Sequence, residues 1–332
     1  VNGQPRRGLA RVAWPSGALD GWNPNAGSTA AYDFIDIVLD AGHAYVGGEF
    51  SQVGTTPRTR LARIGLAGTG AVDPAWSPSA NGRVLSLALR DPGLYFAGHF
   101  TEVSGQPRSF VAMVVAATAM PAAFAPAFNG HVTDIEFDGP LLYAVGCFTQ
   151  VGAFLRPRAA AVHVDGTVAA FAPQVEGTCL TSIHLSASHA YLGGEMVLVA
   201  GQPRSGLARV QKATGLLDQA FAPALGLGRY VFFSSELQDG SVLVGHDFLR
   251  ASGAYHPMLV RLSGSSGQPL APSLASEGDG SITAMVELPD QSIILGGTFS
   301  RLGTVPRKGL ARLTPQGELD PGPMPEVRGN VH

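Results

Sequence analysis

An all-β repeat architecture is predicted by three features of this 332-residue chain. Glycine and proline are abundant, at 43 and 24 residues, while only 14% of the chain is charged. That composition suits many short buried strands joined by tight turns, because Gly and Pro punctuate the chain and long solvated helices need charge. A phrase of Pro-Arg followed by a short apolar run closing on Arg returns along the whole length. No window combines a helical apolar period with an N-cap and freedom from Gly or Pro, so no helix is expected.

The phrase stands as GQPRRGLARV (3–12), TTPRTRLARI (55–64), GQPRSFVAMV (105–114), LRPRAAAVHV (155–164), GQPRSGLARV (201–210) and TVPRKGLARL (304–313), with a degraded copy, AYHPMLVRL, at 254–262. Its prolines, Pro5, Pro57, Pro107, Pro157, Pro203, Pro257 and Pro306, are about 50 residues apart. Before each comes an apolar run ending in a Gly pair and an aromatic or Met, as in AYVGGEF (44–50), AYLGGEM (190–196) and IILGGTF (293–299). After the Arg-ended run come Asp, an aromatic and Pro, as with Asp20, Trp22 and Pro24, or Asp73, Trp76 and Pro78. An Asn-Gly or similar turn then opens an alternating run such as VLSLALR (84–90). Each repeat thus supplies four strand-length segments. A sheet of that size cannot bury both faces alone, but copies packed face to face around an axis can. The predicted fold is a β-propeller of four-stranded antiparallel blades, with seven blades (one incomplete) favoured over six. Residues 1–332 are read as a single propeller domain, and both ends falling inside a repeat lead us to expect a longer natural chain.

The net charge of −3 offers no basic footprint for nucleic acid. No apolar run approaches the length of a membrane-spanning helix, and no basic-then-apolar leader is visible. Two cysteines make neither a zinc scaffold nor a disulfide framework. Cys147 ends a Gly-pair run and Cys179 begins the next alternating run, so both are expected at the same end of neighbouring sheets. They are compatible with a disulfide, which would fit an oxidising compartment, or with two separate buried thiols.

Residues that repeat are poor candidates for chemistry, since one active site needs one constellation. Arg11, Arg63, Arg209 and Arg312 recur in phase with Asp20, Asp73, Asp218 and Asp320, and read as structural Arg–carboxylate pairs or Arg-to-backbone bridges. The Arg after each proline forms a second series, Arg6, Arg58, Arg108, Arg158, Arg204 and Arg307. It reads either as a circle of positive charge for an anionic glycan or as guanidiniums satisfying turn carbonyls. The residue after the Gly pair varies: Glu49, His99, Cys147, Glu195, Asp247 and Thr298, with His246 beside Asp247. Carboxylates and imidazoles there are candidates for a binding site at strand ends. His131, Asp134 and Glu136 alternate along one further run. No metal-ligand motif, phosphate loop or nucleophile elbow is present, and neither cofactor nor metal is expected.

With these motifs laid out, the chain resembles the delta-60 repeat family of bacterial β-propellers and, more distantly, kelch propellers. The resemblance rests on Gly-Gly-x-Phe, the Arg turn, Leu-Ala-Arg-Leu and Gly-x-Leu-Asp with its aromatic, and it spans essentially the whole chain. Departures fall at Val145 for the first Gly, Met113 for the repeat Arg, Phe124 with no Asp before it, and His246 for the second Gly. The resemblance implies a secreted or cell-surface bacterial protein without assigned chemistry. The expected function is a non-enzymatic binding platform for a protein or glycan. The alternatives are a lyase or glycosidase using the strand-end carboxylates and histidines, and a structural module of a larger surface chain.

Overall fold

A computed structural model of the chain describes residues 1–13, 16–26, 34–223, 231–246, 249–251, 254–256, 259–270, 280–322, 324–325 and 327. Among these residues every regular element is a β-strand and no helix occurs. The chain divides into two compact units, residues 1, 3–156 and 160–169, and residues 2, 157–159 and 170–332.

Among the described residues the first unit holds three three-stranded antiparallel sheets. β1 (Phe34–Leu39), β2 (His43–Gly48) and β3 (Leu61–Gly65) make the first. β4 (Val84–Arg90), β5 (Gly93–Gly98) and β6 (Val111–Val115) make the second. β7 (Val132–Asp138), β8 (Leu141–Gly146) and β9 (Ala159–His163) make the third. The second unit repeats the pattern. Its sheets comprise β10 (Val175–Leu185), β11 (His189–Val199) and β12 (Gly206–Gln211), then β13 (Val231–Glu236), β14 (Val242–His246) and β15 (Leu259–Leu262), and finally β16 (Ile282–Glu287), β17 (Ile293–Gly297) and β18 (Leu310–Leu313). In every sheet the Gly-pair run is the central strand, which is why it reads as continuous apolar sequence: β5 is buried at all six positions.

The fourth, aromatic-Pro segment does not form a ladder. It meets the third strand through isolated bridges, Ile64 with Val72, Val114 with Pro121, Val210 with Leu217 and Leu262 with Pro269. The sheets therefore carry three full strands and a bridged edge where four strands are expected from sequence. Proline has no N–H to extend the ladder, so the segment turns its aromatic inward instead. Trp76 and Phe221 are at most 1% exposed and meet Tyr45 and Tyr191 edge-on, with ring centroids 5.4 and 5.6 Å apart. Between second and third strands lies a two-residue hairpin ladder whose return arm carries the repeated proline, as in Glu102 with Pro107 and Val103 with Gln106.

The Pro-Arg phrase shifts by two residues in its fourth copy. Leu155, not Pro157, pairs with Gln150 as Pro107 pairs with Glu102. The residue at the entry to the third strand confirms the alignment. It is left-handed in the six repeats where it is described, at Gly8, Arg60, Phe110, Arg158, Gly206 and Gly309, with φ between 67° and 78°. Arg158 therefore belongs with Arg60 and Phe110, and Arg156 takes the place assigned from sequence to Arg158.

One irregularity recurs in all six sheets. The first strand bulges between the second-Gly partner and the residue two further on: Phe34/Asp36, Val84/Ser86, Val132/Asp134, Leu180/Ser182, Val231/Phe233 and Ile282/Ala284. The Gly pair follows from it. A Cβ on Gly98 would collide with the carbonyl oxygen of Arg83, just ahead of the bulge, and one on Gly146 with that of His131. The first Gly also makes room for the neighbouring sheet: a Cβ on Gly47 would lie 2.7 Å from Val84 Cγ1, and one on Gly193 2.7 Å from Val231 Cγ1 and closer still to Ser182 Oγ of its own sheet. One glycine admits its own sheet's bulged backbone and the other admits the next sheet's core valine.

Gly98→Ala is expected to destabilise the chain by about 1–3 kcal/mol through overpacking. Gly21→Ala, where a Cβ meets nothing within 4 Å, is expected to be near neutral. Equal unfolding midpoints for the two variants in denaturant would contradict this account of the Gly pair.

Candidate functional site

The repeated charges join sheets to one another. Arg63 donates from Nε (3.0 Å) and Nη2 (2.5 Å) to Asp73 Oδ2, and from Nη1 to Ala116 O of the next repeat (2.6 Å). Arg11 bonds Asp20 (2.5 Å) and, one repeat on, Leu66 O (2.7 Å). Arg209 bonds Asp218 (2.9 Å) and Gly264 O. Arg312 contacts Asp320 (3.0 Å) and Asp290 (2.7 Å). Each guanidinium lies over the aromatic of its own edge segment where one is present, Arg63 5.7 Å from Trp76 and Arg209 4.5 Å from Phe221. The aspartates also accept backbone N–H groups two residues on, Asp73 from Ala75 and Asp218 from Ala220. Burial opposes ionisation of Asp73, but the Arg63 guanidinium and the Ala75 N–H outweigh it and hold the carboxyl below its ordinary range. Arg261, in the degraded repeat, turns instead to Asp239 and to Ser241 Oγ (2.8 Å).

The second arginine series satisfies carbonyls. Arg58 donates to Pro57 O (2.6 Å) and Asp73 O (2.7 Å), and Arg108 to Pro107 O (2.7 Å) and Ala122 O (2.8 Å). Arg6 reaches Pro5 O and Asp20 O, Arg307 reaches Pro306 O and Asp320 O, and Arg204 bonds Pro203 O. Arg156 follows the same rule with Leu155 O and Ala169 O, whereas Arg158 donates to Gly177 O. All these arginines are half-buried or buried.

A further row lies at the bulges. Asp36 Oδ2 accepts the N–H of Leu87 at 2.6 Å, in the next sheet. Ser86 Oγ, one repeat later, donates to Asp134 Oδ1 (2.9 Å) and accepts from Ile135 N (3.2 Å). In the second unit Ser182 Oγ and Thr181 Oγ1 donate to Val231 O at 3.2 and 2.5 Å. Burial drives the Asp36 carboxyl up to about 6, against the lowering effect of the N–H groups of Leu87 and Ile37. Sequence reasoning missed this row. Its only sequence trace is a short polar residue two places into four of the six alternating runs, Asp36, Ser86, Asp134 and Ser182, where the other two carry Phe233 and Ala284.

Where the Gly-pair strands end, the side chains do not repeat. Glu49 Oε2 lies 2.6 Å from Arg83 Nε, joining the end of β2 to the start of β4. One repeat on, His99 after β5 meets His131 before β7, with ring centroids 4.3 Å apart and planes 60° apart. Burial first, then the His131 ring and the Arg83 guanidinium, lower the His99 pKa, while Glu49 pulls the other way; burial alone lowers that of His131. Cys147 and Cys179 occupy the corresponding positions of the next repeat, and both are disulfide-bonded. Two expectations drawn from the sequence are corrected by these positions. His246 is fully buried: it faces Val231 in the β13–β14 ladder and is a core residue, not a rim group. Glu195 lies within β11 and not at its end, because that strand runs on to Val199. Asp247 lies outside the described residues.

Residues 42–74 and 288–322 match the family model described as "Domain of unknown function (DUF5122) beta-propeller". No curated protein matches the sequence. Among solved structures, the chain is similar to the computationally designed Ika8 protein (12% identity, TM-score 0.53), covering 89% of this chain and 88% of that one. It is also similar to the RRP9 WD40 repeats (12% identity, TM-score 0.54), with 91% and 86% covered. A third likeness is to the extracellular domain of a one-component system of B. thetaiotaomicron (12% identity, TM-score 0.58), where 91% of this chain spans 36% of that one. At these identities the likeness shows the fold alone. The chain is an all-β repeat protein with the fold of a β-propeller.

Arg63→Ala, which removes a pair 12% and 22% exposed together with an inter-sheet bond, is expected to cost about 3 kcal/mol. Arg11→Ala, in a pair 43% and 36% exposed and screened by solvent, is expected to cost much less than Arg63→Ala. Equal losses in urea unfolding would contradict the bracing role assigned to Arg63.

Asp36 yields a pH signature. Its folded pKa exceeds the ordinary 3.8, so its contribution to stability is full below 3.8 and is lost as pH rises through about 6. Asp36→Ser, which installs the residue found at 86 and 182, is expected to remove that decline. The stability difference between wild type and variant should therefore drift towards the variant between pH 4 and 6. A difference that stays flat across this window would refute a buried, proton-binding Asp36.

Proposed function

We propose that the chain is a non-catalytic β-propeller domain, seven-bladed with one blade incomplete and its bridged aromatic-Pro segments counted as fourth strands. We further propose that it is secreted or held at a bacterial cell surface as a binding platform for a protein or glycan partner. The carrying observation is a division of labour among charged side chains. The repeated arginines and aspartates spend their hydrogen bonds on one another and on backbone carbonyls. The non-repeated Glu49, Arg83, His99 and His131 gather at the ends of adjacent strands, where varied polar groups on a rigid frame serve recognition. Oxidation of both cysteines supports an oxidising compartment. The extracellular domain that shares this fold offers a precedent for the location. Helices long and apolar enough to cross a membrane are absent among the described residues.

Binding of the full chain to a panel of acidic and neutral polysaccharides, run beside assays for new reducing ends and unsaturated uronates, tests this reading. Saturable binding without product is expected, weakened roughly tenfold by Glu49→Ala with Arg83→Ala. Turnover of any polysaccharide would contradict the non-catalytic assignment.

A further inference from the structure

We propose that residues 8–12, with the apolar face of the first sheet beside them, form an acceptor site for one extended strand of a separate polypeptide. The strand has the pattern Tyr-apolar-Gly-Gly and adds antiparallel to the free edge of 8–12. This goes beyond the binding-platform reading, whose test concerns polysaccharides, Glu49 and Arg83, and it stands without that reading.

One pentapeptide occurs twice in the chain with two fates. Gly-Leu-Ala-Arg-Val fills both 8–12 and 206–210. In the second place it makes up most of β12 and pairs with residues 190–194 of β11, and Leu207, Ala208 and Val210 are fully buried. In the first place no described strand pairs with it, and Gly8, Ala10, Arg11 and Val12 are exposed. The backbone at the places of 8, 10 and 12 faces the central strand elsewhere. Arg60 O accepts from Gly48 N and Phe110 O from Gly98 N, and alternation carries the pattern along the strand. Gly8 and Ala10 make no backbone hydrogen bond among the described residues. Neither Pro nor Lys stands within 8–12 to blunt that edge.

The face beside this edge specifies the occupant. Between the first and second sheets, β2 covers β4: a Cβ on Gly47 would meet Val84 and Leu87, and Leu87 is 4% exposed. By the shared bulge, Ile37 and Leu39 of β1 hold the places of Leu87 and Leu89, yet they are 42% and 59% exposed. Part of the same face is already closed, where Leu9 and Trp22 pack with Ala44, Val46, Ala62 and Ile64. A strand laid along 8–12 continues that interface over Ile37 and Leu39, and the register of β11 on β12 supplies its pattern. There Gly194 stands opposite Gly206, Gly193 opposite Leu207 and Tyr191 opposite Arg209. Arg209 reaches the Tyr191 hydroxyl at 3.3 Å, whereas Arg11 bonds Asp20 and Leu66 O and keeps an exposed side chain. A tyrosine opposite Arg11 restores that third bond. A glycine opposite Leu9 leaves room for Ile37, as Gly47 does for Leu87. Main-chain bonds then give affinity, and the tyrosine and glycine places give selectivity.

Isothermal titration of the full chain with an acetylated, amidated peptide of residues 188–196 (SHAYLGGEM) tests this, with near-UV circular dichroism checking the fold of every variant. One peptide per chain is expected to bind, and hydrogen exchange at the Ala10 amide is expected to slow on saturation. Ala10→Pro removes an edge N–H at an exposed, unbonded place, and Leu39→Ser removes apolar area from an exposed face. Each is expected to weaken binding about tenfold. The same loss is expected for a peptide carrying Tyr191→Ala. Absence of saturable binding, wild-type affinity in folded Ala10→Pro, or new protection only at other sheet edges would overturn the site. Equal affinity for the Tyr191→Ala peptide would overturn the strand pattern assigned to the occupant. Sedimentation is run alongside: wild-type chain that self-associates while Ala10→Pro stays monomeric would give the edge to a second copy and overturn the Tyr-Gly-Gly strand as its occupant.

Discussion

Adjacent sheets in this protein are held by hydrogen bonds made at a recurrent flaw. The bulge in the first strand of each sheet turns backbone groups away from their own ladder, and such groups, once buried, must find partners. The partner is a short polar side chain on the neighbouring sheet: Asp36 for Leu87 N, Ser86 for Ile135 N, Ser182 and Thr181 for Val231 O. The Gly pair exists because of the same flaw. Its second member clears the bulged backbone and its first clears the valine of the next sheet. Apolar burial draws the sheets together without direction, and these bonds fix their register.

A second stitch works at the third strand. Arg63 and its counterparts tie their own edge segment, through Asp73, to a carbonyl 53 residues further on. The edge segment cannot hold itself by a ladder, since its prolines interrupt donation, so a buried aromatic and an aspartate turn anchor it instead. Where the arginine is missing, at Met113, the aromatic anchors the segment without it. There Phe124 packs edge-on against Tyr95 with centroids 5.1 Å apart. Loss of a charge pair is thus tolerated where ring packing persists.

Much of the fold was readable because a period of about 50 residues samples the same physics repeatedly. The central strand, the hairpin and the Arg-ended strand each declare themselves several times over. What stayed hidden was local or unique. The copy at 155–164 contains a Pro-Arg pair two residues out of phase, and only strand pairing reveals that Leu155 holds the proline's place. Burial of His246 follows from its standing opposite Val231, a consequence of register that composition does not report. The bulge row escaped because Asp36, Ser86 and Ser182 look like ordinary polar alternation until the bond to the next sheet is seen. The histidine pair escaped for a similar reason: 131 is remote from 99 in sequence, and the repeat brings them together.

The bulge row can be examined directly by amide hydrogen exchange on a Ser86→Ala variant. Loss of the Oγ acceptor removes the inter-sheet bond of the Ile135 N–H and leaves it only Asp134 Oδ1 on its own strand (2.9 Å), so exchange there should quicken severalfold, with distant amides in the second unit unaffected. Unchanged protection at Ile135 would show that the Ser86 bond at the bulge does not hold these two sheets together.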